Sequence, residues 1–186
     1  ESLLVEKGLL DSKTVDEWIE TFTERVGPQN GAKAVAKAWI NPVFRNELLE
    51  NGSATLNEMG LLGIESSRIV VVENTPEIHN VVVCTLCSCY PWSILGLPPS
   101  WYKSAAYRSR IVRDPRGVLA EFGLILKDDI EVRVWDSTSE LRYMVLPERP
   151  KDTEGMGLDE LADLVTRNSM IGTERAASPQ ITRRED

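Results

Sequence analysis

Residues 80 to 92 read Asn-Val-Val-Val-Cys-Thr-Leu-Cys-Ser-Cys-Tyr-Pro-Trp and contain all three cysteines of the chain, Cys84, Cys87 and Cys89. The β-branched run before them predicts a buried strand that leads directly into the cysteines. A disulfide framework would spread its cysteines along the chain, whereas this set is odd in number and tightly clustered. The pattern therefore indicates metal or redox chemistry in a reducing, cytoplasmic setting.

The spacing of the cysteines allows a metal ion to be held by sulfur and backbone together. Thiolates are soft ligands that suit late transition metals. The Cys89 sulfur and its own amide nitrogen can form a small chelate ring, and the Ser88 nitrogen with the Cys87 sulfur can form another. Cys84 would cap one side and leave the opposite side open for water or substrate. An amide nitrogen binds only after it loses its proton, which favours trivalent cobalt or iron, and no proline blocks position 88 or 89.

A zinc site or a redox Cys-x-x-Cys motif is the competing interpretation of these residues. A closed structural zinc site needs four Cys or His ligands, but only three sulfurs are local. His79, the only histidine, lies five residues before Cys84 on the far side of the strand-like run. Spacing alone does not decide between the two interpretations.

The chain before residue 65 has a helical pattern. Apolar residues recur at helical spacing at Val15, Trp18, Ile19, Phe22 and Val26. Gly27-Pro28 and Asn30-Gly31 are expected to break the chain before a short alanine-rich helix from Ala32 to Ile40. Asn41-Pro42 predicts the start of a further helix, and Gly52-Ser53 predicts another that runs through Leu56, Met59 and Leu62.

Strand and helix patterns alternate in the remainder of the chain. Strands are predicted at 69–72, 81–83, 130–135 and 141–146, and helices at 104–112, 115–122 and 158–166. The third and fourth strands are expected to pair through the polar connection 136–140. We therefore predict an α+β fold: a helical N-terminal arm (1–65), a compact layered αββα-like catalytic domain that carries the metal loop (66–175) and a C-terminal tail (176–186).

Composition excludes some classes of partner. The chain has 186 residues and a net charge of −8, which argues against a general binder of nucleic-acid backbone. The short basic stretch from Arg108 to Arg113 is better explained as a solvated helix face. Since no apolar run approaches the length of a membrane span, we expect no membrane partner either.

The cysteine stretch resembles the nitrile hydratase α-subunit motif. The resemblance continues through Leu95-Gly-Leu-Pro-Pro-Ser-Trp-Tyr-Lys103, Arg110-Ile-Val-Arg-Asp-Pro-Arg-Gly117, Arg133-Val-Trp-Asp136, Arg142-Tyr-Met-Val-Leu-Pro-Glu-Arg-Pro150 and Ser169-Met-Ile-Gly172, and upstream includes residues 31–39. It thus covers most of the chain. It implies an enzyme, a lyase that adds water to a nitrile to give an amide.

The resemblance also implies the ligands and their chemistry. Cys84 would be the axial thiolate, Cys87 would be oxidised to sulfinate and Cys89 to sulfenate, and the amides of Ser88 and Cys89 would complete the protein ligands. Cys89, Cys87 and Ser88 are therefore the expected catalytic residues, with the Cys89 oxygen either the nucleophile or the base. Thr85 and Tyr90 accompany cobalt in this family, where iron members usually carry Ser and Thr. One Co(III) per α chain is expected, with iron(III) the less favoured metal.

Partners and pocket residues follow from the same resemblance. A β subunit would supply arginines to the oxidised sulfurs, in an (αβ)2 heterotetramer, and an activator protein would deliver cobalt. Trp92 is expected to line the pocket, with an ordinary core tryptophan as the competing interpretation. Asp136, Glu140 and Arg142 either support the site or are surface charges. Glu65 stands where family members often carry Gln, which puts one outer contact in doubt.

Two other functions remain open from the sequence. Thiocyanate hydrolase has a related cobalt subunit and would use the same cysteine loop on a smaller triple-bonded substrate. A non-enzymatic metal or thiol redox module would instead keep three reducible, unmodified cysteines.

Overall fold

The computed structural model describes residues 2–9, 11, 13, 27–63 and 67–179. The helices are α1 (Ser2–Glu6), α2 (Gly27–Ile40), α3 (Pro42–Glu50), α4 (Gly52–Glu58), α5 (Trp92–Leu95), α6 (Ala105–Arg110), α7 (Pro115–Glu121), α8 (Leu158–Ala162) and α9 (Arg167–Ile171), with a 3-10 helix at Ser100–Lys103. The strands are β1 (Arg68–Glu73), β2 (Ile78–Val83), β3 (Glu131–Asp136) and β4 (Leu141–Leu146). Among these helices, none has the length and apolar character needed to span a membrane.

The four strands form two parallel pairs. β1 pairs with β4, with Arg68 opposite Leu141, and β2 pairs with β3, with Ile78 opposite Glu131. The predicted pairing of β3 with β4 is therefore wrong, because each of these strands pairs with an earlier one. The physical reason is that the valines of β2 are all buried, and continuous apolar strands pair in parallel, with helices covering their faces.

Helices and strands share one core, which confirms the α+β class. α2 packs on α5 and α8, α4 packs on β1, and α9 packs on β4. The largest fully buried side chains come from all of these layers and include Leu48, Leu56, Ile69, Ile94, Tyr102, Met144 and Leu161. The division into an arm, a catalytic domain and a tail at residues 65 and 175 stays a prediction.

Helix α2 extends through residues that were expected to break the chain. The predicted helix 32–40 is present, but it begins at Gly27 and passes through Gly31. Pro28 is tolerated because the first turn of a helix needs no amide donor. A Cβ at Gly31 would lie 2.6 Å from the Met170 sulfur and 2.9 Å from an Ile94 methyl. Gly31 therefore serves close packing and does not mark a break.

Most other boundaries agree with the sequence patterns. Asn41 caps α3 as predicted, its side chain accepting from the Phe44 amide at 3.0 Å, while α4 ends before Met59 and Leu62. α6 and α7 lie inside their predicted ranges. The last predicted helix, 158–166, ends at Ala162, and the following helix α9 was missed. The helix predicted around residues 15–26 and the contact considered for Glu65 lie outside the described residues.

A buried polar network joins the two sheets near the start of β2. The Asn80 side-chain amide donates to the Glu73 carbonyl at 2.6 Å, and the Trp135 indole donates to the Asn80 side-chain oxygen at 2.8 Å. The Asn80 backbone amide donates to the Asn74 side chain at 2.7 Å. His79 lies between the Asn74 side-chain amide (3.3 Å) and the Gly172 carbonyl (2.7 Å). This network fixes the register of β2, which carries the cysteine loop.

Candidate metal centre

Strand β2 ends at Val83, and residues 84–89, the cysteine loop, bring three thiols together. The sulfurs of Cys84 and Cys87 are 3.4 Å apart, and those of Cys87 and Cys89 are 3.2 Å apart. All three lie within 4.8 Å of one another. Cys84 is buried, Cys89 is half-buried and Cys87 is exposed. The loop therefore presents a sulfur cluster that begins in the core and opens to the surface.

The sulfur separations fit one coordination geometry better than another. With metal–sulfur bonds of about 2.3 Å, two sulfurs at a right angle lie about 3.3 Å apart and two at the tetrahedral angle about 3.8 Å apart. The two separations of 3.4 and 3.2 Å match the right angle. Of the residues that the structure describes, no further Cys, His, Asp or Glu joins the group. The donor set therefore fits a square or octahedral ion and does not form a closed zinc tetrahedron.

The thiols strongly influence one another's ionisation. Hydrogen bonds from Cys89 and Cys84, helped by the Ser88 amide, lower the pKa of the Cys87 thiol to about 7. Burial, followed by the contact with Cys87, raises the pKa of the Cys89 thiol to about 12. One thiolate thus forms readily and opposes ionisation of its neighbour. A readily formed thiolate beside two further sulfurs suits a soft metal ion.

The first end of the loop is held by strand β3. The Asp136 carboxylate accepts from the Thr85 backbone amide at 2.9 Å and from the Thr85 hydroxyl at 2.6 Å. The Arg108 guanidinium, on α6, donates to the Thr85 carbonyl at 3.4 Å. Inside the loop, the Cys87 amide donates to the Cys84 sulfur at 3.3 Å. A carboxylate on two donors orients Thr85 and with it the turn that aims the sulfurs.

The second end is held by strand β4 and by the 3-10 helix. The Arg142 guanidinium donates to the Tyr90 carbonyl at 2.7 Å, and the Tyr102 hydroxyl donates to the Cys89 carbonyl at 3.0 Å. Tyr90 is itself buried, and its hydroxyl contacts the Leu95 carbonyl at 3.3 Å. Burial raises the pKa values of both tyrosines far above the ordinary range, so both hydroxyls remain donors.

The surface near the loop carries exposed apolar side chains. Leu86 is 88% exposed and Trp92 is 41% exposed. Trp92 is therefore not an ordinary core tryptophan, although its assignment to a substrate pocket stays a prediction. Ser88 and Thr85 are half-buried. Exposed apolar groups around a polar centre are typical of a surface that another molecule covers.

Some of the residues singled out from the sequence contact the cysteine loop in the structure, and others do not. Asp136 and Arg142 contact the loop backbone and are more than surface charges, whereas Glu140 is exposed. His79 lies outside the sulfur cluster, in the polar network at the other end of β2. Tyr102 was not singled out, and Arg108 was expected to face solvent. No spacing rule in the sequence could have found these two, because both contacts come from packing between separate elements.

A half-buried, oriented cluster of three thiols defines an α+β transition-metal protein. The family model for the nitrile hydratase alpha chain matches residues 1–174. This chain belongs to the nitrile hydratase alpha-chain family, whose enzymes hydrate nitriles to amides.

Individual relatives agree with this assignment. The low-molecular weight cobalt-containing nitrile hydratase subunit alpha of Rhodococcus rhodochrous is 54% identical, over 96% of this chain and 86% of that protein. A double mutant of the Fe-type nitrile hydratase from Comamonas testosteroni Ni1 superposes with a TM-score of 0.87 at 46% identity, covering 96% of this chain and 87% of that one. The thiocyanate hydrolase subunit gamma of Thiobacillus thioparus is 41% identical, over 91% of this chain and 74% of that protein.

Proposed function

We propose that this chain is the α subunit of a cobalt nitrile hydratase, which hydrates nitriles with a β subunit at a Co(III) ion, one per α chain. The observation that carries the proposal is the cluster of three sulfurs at right-angle separations. The thiolates of Cys84, Cys87 and Cys89 and the backbone nitrogens of Ser88 and Cys89 would hold the ion. Similarity to cobalt-containing relatives supports the choice of metal.

The three cysteines and Trp92 have distinct tasks in this reaction. When bound, Co(III) supplies Lewis acidity toward a nitrile or water. Cys84, buried at the base, would hold the ion from the protein side, and the exposed Cys87 would be oxidised to sulfinate. Cys89 would be oxidised to sulfenate, with dioxygen as the oxidant of both cysteines. The sulfenate oxygen would either take a proton from the attacking water or itself attack the nitrile carbon. In the second case water would then attack the sulfur, which restores the sulfenate as the amide leaves. Trp92 would contact the apolar part of the substrate and exclude water.

The choice of cobalt over iron is proposed to rest on Thr85 and Tyr90. The Thr85 hydroxyl is committed to Asp136, while the Tyr90 ring is 1% exposed and packs edge-on against Tyr102 with ring centres 5.1 Å apart. A smaller residue at position 90 would leave a cavity directly behind Cys89. Both residues thus set the shape of the loop that the metal meets.

The remaining parts of the proposal concern partners and location. Exposed Leu86 and Trp92 would be covered by the β subunit, whose arginines would bond the oxidised sulfurs, in an (αβ)2 heterotetramer. An activator protein would deliver cobalt. The three cysteines form no disulfide, which fits a reducing compartment, so we propose a cytoplasmic location. The net negative charge argues against a nucleic-acid partner.

The proposal is tested with the chain co-expressed with its β subunit and loaded with cobalt. Acrylonitrile and benzonitrile should both be assayed, with amide formation followed by chromatography. The same complex prepared without cobalt is the control and should form no amide. Absence of amide from a complex that contains one cobalt per α chain would contradict the proposal.

Thiocyanate hydrolysis is the second candidate, because a thiocyanate hydrolase gamma subunit is 41% identical to this chain. The same complex should release carbonyl sulfide from thiocyanate if this candidate is correct. A non-enzymatic redox module is tested by the mass of the loop peptide. Added oxygen on Cys87 and Cys89 supports a hydratase, and three bare thiols support the module.

A further inference from the structure

The carbonyl of Cys89 is held by a residue that is remote in sequence and lies wholly in the core. Tyr102 is 0% exposed, and its hydroxyl donates to the Cys89 carbonyl at 3.0 Å. The residue belongs to the 3-10 helix Ser100–Lys103, which follows Pro98-Pro99. A side chain from a separate, buried element thus reaches the residue proposed to carry the reactive oxygen.

The position of the Tyr102 hydroxyl is fixed by aromatic packing. The ring contacts Tyr90 edge-on at 5.1 Å, Trp101 at 6.1 Å and Tyr107 at 5.9 Å between ring centres. A tyrosine has few rotatable bonds, and a fully buried ring loses even those. The hydroxyl is therefore a preorganised donor whose location does not depend on the loop.

The two ends of the cysteine loop are consequently held by separate elements. Asp136, at the end of β3, binds Thr85, and Tyr102, in the 3-10 helix, binds Cys89. The Ser137 amide also donates to the Val83 carbonyl at 2.7 Å, which fixes the strand end to the start of the loop. Strand β3 therefore holds the start of the loop, and the hydrogen bond to the Cys89 carbonyl comes from Tyr102.

We propose that Tyr102 is a positioning residue for Cys89: its hydroxyl fixes the backbone of Cys89 so that this sulfur and its amide nitrogen face the metal together. The inference deepens the proposed function and rests on it. It distinguishes Cys89 from Cys87, whose position is set from within the loop by the Cys84 sulfur. Loss of the hydroxyl should therefore disturb Cys89 selectively.

The structure offers a matched control in Tyr107. Like Tyr102, it is buried and its hydroxyl donates to a backbone carbonyl, that of Val82 at 2.7 Å. It belongs to the same group of packed aromatic rings but contacts β2 and not the cysteine loop. Tyr102→Phe and Tyr107→Phe each remove one buried hydroxyl, so a general loss of stability should affect both variants similarly.

The test uses the αβ complex, prepared without metal and titrated with CoCl2 under air. We expect Tyr102→Phe to raise the Co²⁺ concentration for half-loading by about 10-fold, in line with other outer-shell changes at metal sites. In the loop peptide of the Tyr102→Phe complex, Cys89 should lack the added oxygen that it carries in wild type, whereas Cys87 should still carry its added oxygen. Tyr107→Phe should match wild type in both readouts, although its Tm falls.

Equal half-loading and equal Cys89 oxidation in the two variants would overturn the inference. If Tyr102→Phe yields no folded complex, replacement of Tyr102 by 4-aminophenylalanine decides, because its amine keeps the ring and is a weaker donor. A half-loading concentration raised by about 3-fold supports the inference, and no change overturns it. Half-loading is measured without any substrate. A wild-type complex that binds cobalt but makes no amide would therefore refute the proposed function and still leave the role of Tyr102 measurable.

Discussion

Strand β2 carries polar groups at both ends, and the two ends differ in how those groups are satisfied. At the amino end, His79 and Asn80 are buried and hydrogen-bonded to neighbours on three other segments. At the carboxyl end, the loop backbone is held at Thr85 and Tyr90, but the thiols contact one another. The amino end is complete as a structural network, whereas the sulfurs at the carboxyl end contact mainly one another and suit a soft metal ion. A rigid backbone around mutually contacting thiols therefore marks the functional end of the strand.

The largest effect should follow from removing a sulfur at the carboxyl end. Cys84→Ser replaces the buried thiolate by a hydroxyl that binds soft metals poorly. Activity of the αβ complex should fall by about 1000-fold or more, since outer-shell changes alone cost about 10- to 100-fold. Cobalt content by elemental analysis and amide production are the measurements. Unchanged cobalt content would show that Cys84 is no ligand.

Loss of the Asp136 anchor should have the next largest effect. Asp136→Asn keeps the shape but removes the charge and one of the two carboxylate oxygens that accept from Thr85. We expect cobalt content or activity to fall by about 10- to 100-fold while the fold survives. Glu140→Gln, an exposed carboxylate on the same connection, is the matched control and should behave as wild type. Equal cobalt content and activity in the two variants would mean that Asp136 is an ordinary surface charge and does not support the site.

Changes at the amino end should affect stability and leave the chemistry intact. Asn80→Ala removes hydrogen bonds to Glu73, Asn74 and Trp135 inside the core. The free energy of unfolding should fall by about 2–4 kcal/mol, measured by urea unfolding. Asn57→Ala, at an exposed helix position, should change it by less than about 0.5 kcal/mol. Cobalt bound per folded Asn80→Ala chain should equal wild type, and a selective loss of cobalt would contradict the division between the two ends.

The smallest effect concerns pH. Burial lowers the pKa of His79, and Arg175 lowers it further, while the Gly172 carbonyl and Glu148 oppose the shift. Below about pH 6.5 His79 is protonated in the unfolded chain but stays neutral in the folded chain. The free energy of unfolding therefore falls as the pH falls, by at most about 1.4 kcal/mol per pH unit. Above that pH the histidine is neutral in both states and contributes no slope.

The variant His79→Gln isolates this contribution from the many carboxylates. The difference in unfolding free energy between wild type and variant should be constant above about pH 6.5 and should shrink below it. Urea unfolding at several pH values measures it. A difference that grows as the pH falls would mean that His79 becomes protonated more readily in the folded state.

The sequence predicted local structure better than long-range structure, for a physical reason. Capping at Asn41 and the valine runs of β1 and β2 depend on neighbours within a few residues. The pairing of β3 with β2 does not, because it depends on which strand covers which apolar face. Gly31 shows the same limit: its role comes from Met170 and Ile94, far along the chain.

The candidate site was predictable to the same extent. The clustering of the Cys84, Cys87 and Cys89 sulfurs was predictable because the three cysteines lie within six residues of one another. Asp136 and Arg142 were named as candidates for support, and the structure places them on the loop. The hydroxyl of Tyr102 was invisible because its contact with Cys89 depends on how the chain folds back after the proline-rich turn, which no local pattern reports.

X-ray absorption at the cobalt edge of the loaded αβ complex reports the oxidation state of the metal and its ligands together. We expect a trivalent ion with three sulfur neighbours at about 2.2–2.3 Å and two nitrogen neighbours at about 1.9–2.1 Å, the usual range for such bonds. A divalent, tetrahedral ion with sulfur ligands alone, or with fewer than three sulfurs, would contradict this expectation.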